Sequence, residues 1–212
     1  MKDELMKLDF DIHYISVTSR KSDLHHGMIR LIISTLATSD ELENLVKKDV
    51  RKNPDCNGKY TVKLTNAGKS RIAYIDSKTH ATLVSICKNK RGRERVFPFS
   101  REEMDSIISM YSPPDRSYCV NSLRRAVIEI LQDCSFFGEN FVSMILEGRT
   151  GRKVCDFLDD FHPFFSGMWD FEDEEVAADF VKLYSEITGE SPDKIAEILG
   201  ESEKRIRRLL NY

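Results

Sequence analysis

The chain has 212 residues, 41% of them hydrophobic and 32% charged, a balance too apolar for general disorder and too polar for a membrane protein. At about 150 residues per domain this length makes one or two globular domains. No apolar run reaches the roughly 18 residues of a spanning helix, and residues 1–11 are charged where a signal peptide is apolar, so a cytoplasmic protein is expected.

The net charge of −3 conceals a segregation along the chain. Residues 1–100 carry 19 Lys/Arg against 12 Asp/Glu, residues 101–190 carry 8 against 19, and residues 191–212 carry 5 against 4. A basic front half suits a protein that approaches a polyanion with one end. The five cysteines (Cys56, Cys87, Cys119, Cys134, Cys155) are odd in number and contain no C-x-x-C pair, which argues for reduced thiols rather than disulfides or a zinc site.

In chain order, Phe10, Ile12 and Tyr14 alternate before Ile15 and Val17 shift phase, which predicts a strand over residues 10–17. Thr18 and Ser19 are helix-cap candidates, and Leu24, Met28, Ile29, Leu31, Ile32 and Leu36 follow at helical spacing. Ser39-Asp40 opens a second helix through Leu42, Leu45, Val46 and Val50, ended by Asn53-Pro54-Asp55. Tyr60, Val62 and Leu64 then alternate, and Asn66-Ala67-Gly68-Lys69 separates them from Ile72 and Tyr74, which predicts a β-hairpin. Residues 81–88 fit a helix or a strand, and residues 95–99 fit a strand stopped near Pro98.

Ser112-Pro113-Pro114-Asp115 is the clearest break, because consecutive prolines cannot continue a helix. Beyond it every apolar pattern is helical. At the carboxyl end, Ser191-Pro192 opens a helix striped by Ile195, Ile198 and Leu199, Gly200 makes the turn, and Ser202 caps a second helix striped by Ile206, Leu209 and Leu210. With Ala196 at the crossing, this spacing looks like a helix-turn-helix over about residues 191–211, except that Glu201 stands where an apolar residue is usual. Ser202, Lys204, Arg205, Arg207 and Arg208 would then face the major groove, where the arginine fork matches guanine edges and phosphates.

The segment Ile15-Ser-Val-Thr-Ser-Arg20-Lys21, followed by Leu24-His25-His26-Gly27-Met28-Ile29-Arg30, resembles the start of the phage regulatory protein Rha family, and Gly68-Lys69-Ser70 before Tyr74-Ile75-Asp76 resembles the strand-turn-strand of that family and of KilA-N type domains. The resemblance covers about residues 12–90. It implies a small α/β DNA-binding domain of a phage or mobile-element regulator in a bacterial host, with Arg20, Lys21, His25, His26 and Arg30 near the DNA.

Other cations are compatible with phosphate contact: Lys69 and Arg71 at the hairpin, and Lys90, Arg91, Arg93 and Arg95 in a loop containing Gly92. Lys47, Lys48, Arg51 and Lys52 read first as cations stabilising a helix carboxyl end, and second as phosphate contacts. The aromatic cluster including Phe164, Phe165 and Trp169 is either the helical core or a dimer surface. Adjacent His25 and His26 point about 100° apart on a helix and make a poor metal pair. Asp156, Asp159 and Asp160 could hold magnesium in a nuclease, but a solvated helical face explains them more simply. The P-loop, dinucleotide, G-x-S-x-G and H-E-x-x-H patterns are absent.

The expectation is an α+β chain: an α/β amino-terminal domain with a hairpin over residues 1–111, then an all-helical domain over residues 115–212 ending in the helix-turn-helix. The function expected is a non-enzymatic, sequence-specific double-stranded-DNA-binding regulator, a repressor acting as a homodimer, with no cofactor, metal, membrane or small-molecule substrate. The alternatives are a protein-binding module such as an antirepressor, and a magnesium-dependent nuclease.

Overall fold

The computed structural model describes residues 2–54, 60–133, 142–143, 174, 177–178, 181–182, 185, 189–199 and 201–211. Among these residues, eight α-helices and one two-stranded antiparallel hairpin make a mixed α+β fold. The helices are α1 (Lys2–Thr18), α2 (Asp23–Thr35), α3 (Ser39–Asn44), α4 (Ser77–Ile86), α5 (Arg101–Met110), α6 (Val120–Asp133), α7 (Pro192–Leu199) and α8 (Glu203–Leu210). The strands are β1 (Tyr60–Asn66) and β2 (Lys69–Ile75). None of the described helices is long and apolar enough to cross a membrane.

Residues 10–17 are helical, not the expected strand. The helix carries two apolar faces. Ile12 and Ile15, with Leu8 beside them, join the large central cluster, while Phe10 and Val17, with Tyr14 against them, join a second cluster with α7 and α8. Two stripes on one helix place apolar residues at nearly every second position, which imitates the period of a strand.

α2 lies at the centre, against α1, α4, α6 and β2. Met28, Ile29, Leu31, Ile32 and Ile33 are all fully buried, each contributing about 1.5–3 kcal/mol of apolar burial. Ser22 caps its first turn by accepting the His25 N–H. Its last residue hands over to Leu36, held at φ 55° in the left-handed region. The carboxyl-end carbonyls of Thr35 and Leu36 accept from the guanidinium groups of Arg71 and Arg124, at 2.9 and 2.8 Å.

α3 ends at Asn44, well short of the expected Val50. Thr38 and Glu41 close a capping box at its start. Val46 and Val50 instead make isolated antiparallel bridges to Arg95 and Val62. Residues 47–49 form a single short 3-10 turn and residues 50–52 run on without helix, so these cations lie beyond the carboxyl end of α3.

The hairpin forms as expected, turning at Ala67 and Gly68, both at positive φ. Its register pairs Leu64 with Arg71, Val62 with Ala73 and Tyr60 with Ile75. Ala73 and Ile75 therefore share the buried face, and Ile72 is 40% exposed on the other. Residues 81–88 belong largely to α4, whose N-cap Asp76 accepts from the N–H groups of Lys78 and Thr79. Residues 95–99 form no strand; Arg95 makes one isolated bridge and a bend follows at Val96. α5 is not anticipated by the apolar pattern, although Ser100 and Glu103 form a capping box at its start.

The central cluster runs across Pro113-Pro114: Val120, Leu123, Val127 and Leu131 of α6 pack with Ile12, Leu31 and Ile32. α7 and α8 form as expected. Ile195, Ala196, Ile206 and Leu209 pack with Phe10, Val17, Ala177, Ala178 and Val181. The Glu201 N–H returns to the Ala196 carbonyl at 3.0 Å, and Ser202 caps α8 by accepting the Arg205 N–H.

Candidate nucleic-acid interface

Two loops that are forty residues apart in the chain are zipped together by their backbones. Lys47 N–H donates to Glu94 O at 3.0 Å, Lys48 N–H to Gly92 O at 2.9 Å, and Val96 N–H to Leu45 O at 2.8 Å. The first loop continues against β1 and α4: Arg51 N–H donates to Thr61 O at 3.2 Å, and His80 Nε2 donates to Arg51 O at 2.7 Å, its ring stacked on Tyr60 at 3.8 Å.

The result is one surface carrying Lys48, Arg51 and Lys52 from the first loop and Lys88, Arg91 and Arg93 from the second, all exposed. Among the described residues none of these six has an ion-pair partner. Lys47 is half-buried and donates its ammonium to the Lys88 and Lys90 carbonyls, which ties the turn after α4 to the first loop. Glu94 turns its carboxylate onto the Arg91 backbone N–H. Six exposed cations on two loops joined by main-chain hydrogen bonds present positive potential on one surface.

Other expected contacts are committed to the fold. Arg30 is buried; its Nη2 lies 3.0 Å from Asp76 Oδ1 and its Nε donates to Thr79 Oγ1 at 3.0 Å, so it joins α2 to the start of α4 and is not a surface cation. Arg71 stands opposite Leu64 on the inner face of the hairpin and donates to both oxygens of Glu41, at 2.7 and 3.0 Å. Burial raises the Glu41 carboxyl, but the hydrogen bonds and charge of Arg71, with Thr38, outweigh it and hold it below the usual range. Arg95 donates to the Glu43 and Phe99 carbonyls at 2.8 and 2.7 Å. These three arginines, expected as DNA contacts, each face a carbonyl or carboxylate of the protein in this structure.

The two histidines expected near DNA also have partners within the protein. His26 Nδ1 lies 3.0 Å from Ser19 Oγ, and burial, then Arg30 and Arg20, push its pKa down to about 4. His25 Nδ1 lies 2.9 Å from the Tyr111 hydroxyl, its ring is packed against Phe99, and burial lowers its pKa. The lowered pKa values favour the neutral form of both rings. Arg20 and Lys21, on the turn between α1 and α2, and Lys69, at the hairpin tip, remain exposed.

On α8, Ser202 serves as cap, Lys204 is exposed, and Arg205 pairs with Glu201 and Glu174 at 3.0 and 3.5 Å. Arg207 pairs with Glu203 and Arg208 with Glu174, both at 2.7 Å, with the two guanidinium side chains 58% and 62% exposed. Pairs this exposed are worth about 1 kcal/mol or less and exchange readily for another anion. Phe164, Phe165 and Trp169, the acidic residues Asp156, Asp159 and Asp160, and Gly200 lie outside the described residues.

Sequence reading missed Lys88, hidden at the end of an apolar stretch, and misassigned the loop of residues 47–52 because the helical apolar spacing persists through Val46 and Val50. No local pattern signals that the two basic loops are neighbours.

Fold and site together describe a mixed α+β protein with a preorganised basic surface built from two loops. The chain is 40% identical over 210 residues to an uncharacterized protein of Archaeoglobus fulgidus, an alignment covering 98% of this chain and 93% of the relative, and it belongs to the same family as that protein. No protein-family model matches it, and no solved structure matches it.

Proposed function

We propose that this chain is a non-enzymatic, sequence-specific double-stranded-DNA-binding regulator, a cytoplasmic repressor of mobile-element origin that acts as a homodimer. The observation that supports it most is the basic surface of residues 47–52 and 88–93: exposed cations from two distant segments, without ion-pair partners among the described residues, on loops joined by backbone hydrogen bonds. Such a surface anchors phosphates and sets register, while carrying no sequence information itself.

Base reading is assigned to the carboxyl-terminal helices, read as a helix-turn-helix with α8 entering the major groove. Its exposed arginines exchange glutamate for phosphate or guanine at little cost, and Lys204 is open to either. Arg20, Lys21 and Lys69 supply flanking phosphate contacts, the part of the Rha and KilA-N resemblance that this reading retains. Repression needs only occupancy of the operator.

The test is a titration of purified protein into fluorescent duplex DNA across ionic strength. The affinity is expected to fall by one to several powers of ten between about 50 and 200 mM salt, and changing Arg91 and Arg93 to alanine is expected to flatten the logarithmic salt slope by roughly two. Salt-independent binding, or no binding to any duplex in a random-sequence selection, removes the proposal in favour of a protein-binding module.

A further inference from the structure

Beside the basic surface, between the first loop and the end of α4, lies a cavity of about 380 Å³. Its cations are Lys47, Lys52 and Lys88, and its apolar wall is Val50, Val84 and Cys87. Val50 and Cys87 are buried at 6% and 5% exposure, whereas Val84 stands 40% exposed at the rim. No carboxylate lines it among the described residues.

Three lysines line one concavity, and beside them Val84 presents an exposed apolar side chain. The arrangement is also prepared. The Lys47 ammonium is tied down by the Lys88 and Lys90 carbonyls, which use two of its three N–H bonds and leave the third to offer. An inorganic anion would satisfy the ammonium groups and leave the valine wall wet, while a neutral apolar molecule would cover the wall and leave the charges unmatched. The volume falls within the range of small-molecule sites, about 300–1,000 Å³.

We propose that this cavity is a binding site for a small organic anion, a carboxylate, sulfonate or phosphate ester carried on an apolar or aromatic body, with Lys47, Lys52 and Lys88 holding the anionic head and Val50 and Val84 covering the body. The site stands on its own lining and does not depend on the DNA reading.

The experiment uses the full chain without DNA and 8-anilinonaphthalene-1-sulfonate, which has both chemistries, as fluorescent probe. Wild type is expected to show one saturable site. The Lys52→Ala/Lys88→Ala double variant changes only exposed side chains and is expected to lose roughly tenfold in probe affinity. Val84→Asp, which sets a carboxylate on the apolar wall, is expected to abolish the signal, and Arg207→Ala on α8 is expected to leave it unchanged. Circular dichroism melting confirms that each variant is folded. No saturable site in wild type, or unchanged affinity in the lysine variant, overturns the proposal.

Discussion

Lys48 and Gly92 meet backbone to backbone, the lysine N–H donating to the glycine carbonyl at 2.9 Å, and that bond sets the geometry of the basic surface. Either loop alone is a run of cations of the sort that solvates freely in many proteins. Joined, and pinned again by Lys47 to Glu94 and by His80 to Arg51, the two runs become one patch whose backbone is in place before any polyanion arrives.

The α8 arginines separate base reading from anchoring. Replacing Arg205, Arg207 and Arg208 together by alanine is expected to weaken operator binding and reduce its discrimination against random duplex, with a melting shift of only a few degrees because the pairs lost are partly or largely exposed. Mobility-shift titrations on selected and random fragments measure both. Unchanged affinity and discrimination would take α8 out of the interface.

Gly27 lies where α2 packs against α4. A Cβ built there would lie 2.6 Å from Ile86 Cδ1 and 3.2 Å from Thr82 Cγ2. Gly27→Ala is expected to destabilise the fold by about 1 kcal/mol or less, because Ile86 Cδ1 is the free end of a flexible side chain and alanine gains about 1 kcal/mol of helix propensity over glycine. Ile86→Val deletes the offending Cδ1, so in urea titrations the double variant is expected to be less destabilised than the two single effects added. Simple additivity would mean that the helices part freely at this point.

His26 makes stability depend on pH. Its folded pKa of about 4 lies below the unfolded value of about 6.5, so in the fold it stays neutral while the unfolded chain takes up a proton. The stability involved is fully present above pH ~6.5 and lost as pH falls toward 4, by about 3 kcal/mol at most. His26→Gln is expected to flatten the denaturation midpoint over that window, and an unaltered profile in the variant would contradict the assignment.

The thiols of Cys119 and Cys87 are expected to differ in reactivity. Burial raises Cys119, but hydrogen bonds from the Ser122 hydroxyl and from the N–H groups of Ser122 and Asn121 at the start of α6 outweigh it and lower its pKa. Burial raises Cys87, with Lys47 and Lys90 offsetting only part of the rise. Timed iodoacetamide labelling followed by peptide mass spectrometry is expected to find Cys119 modified first. Equal rates at the two positions would refute the difference.

Short-range chemistry in the sequence determined much of the local structure: the hairpin at Ala67-Gly68, the α2 stripe, and α7 and α8 with Ser202 as cap, because turns, caps and periods act over a few residues. The capping boxes Thr38 to Glu41 and Ser100 to Glu103 were equally legible, and the second would have announced α5. Only the tertiary structure decided the rest. It gave α1 two neighbours and so turned an apparent strand into a helix with two buried faces, and it set Arg30, Arg71 and Arg95 against the protein's own acceptors. It also brought Lys48 beside Gly92. A one-dimensional pattern records how apolar and how charged a residue is, but which partner satisfies a charge depends on what the folded chain places within about 4 Å of it, and that is a property of packing.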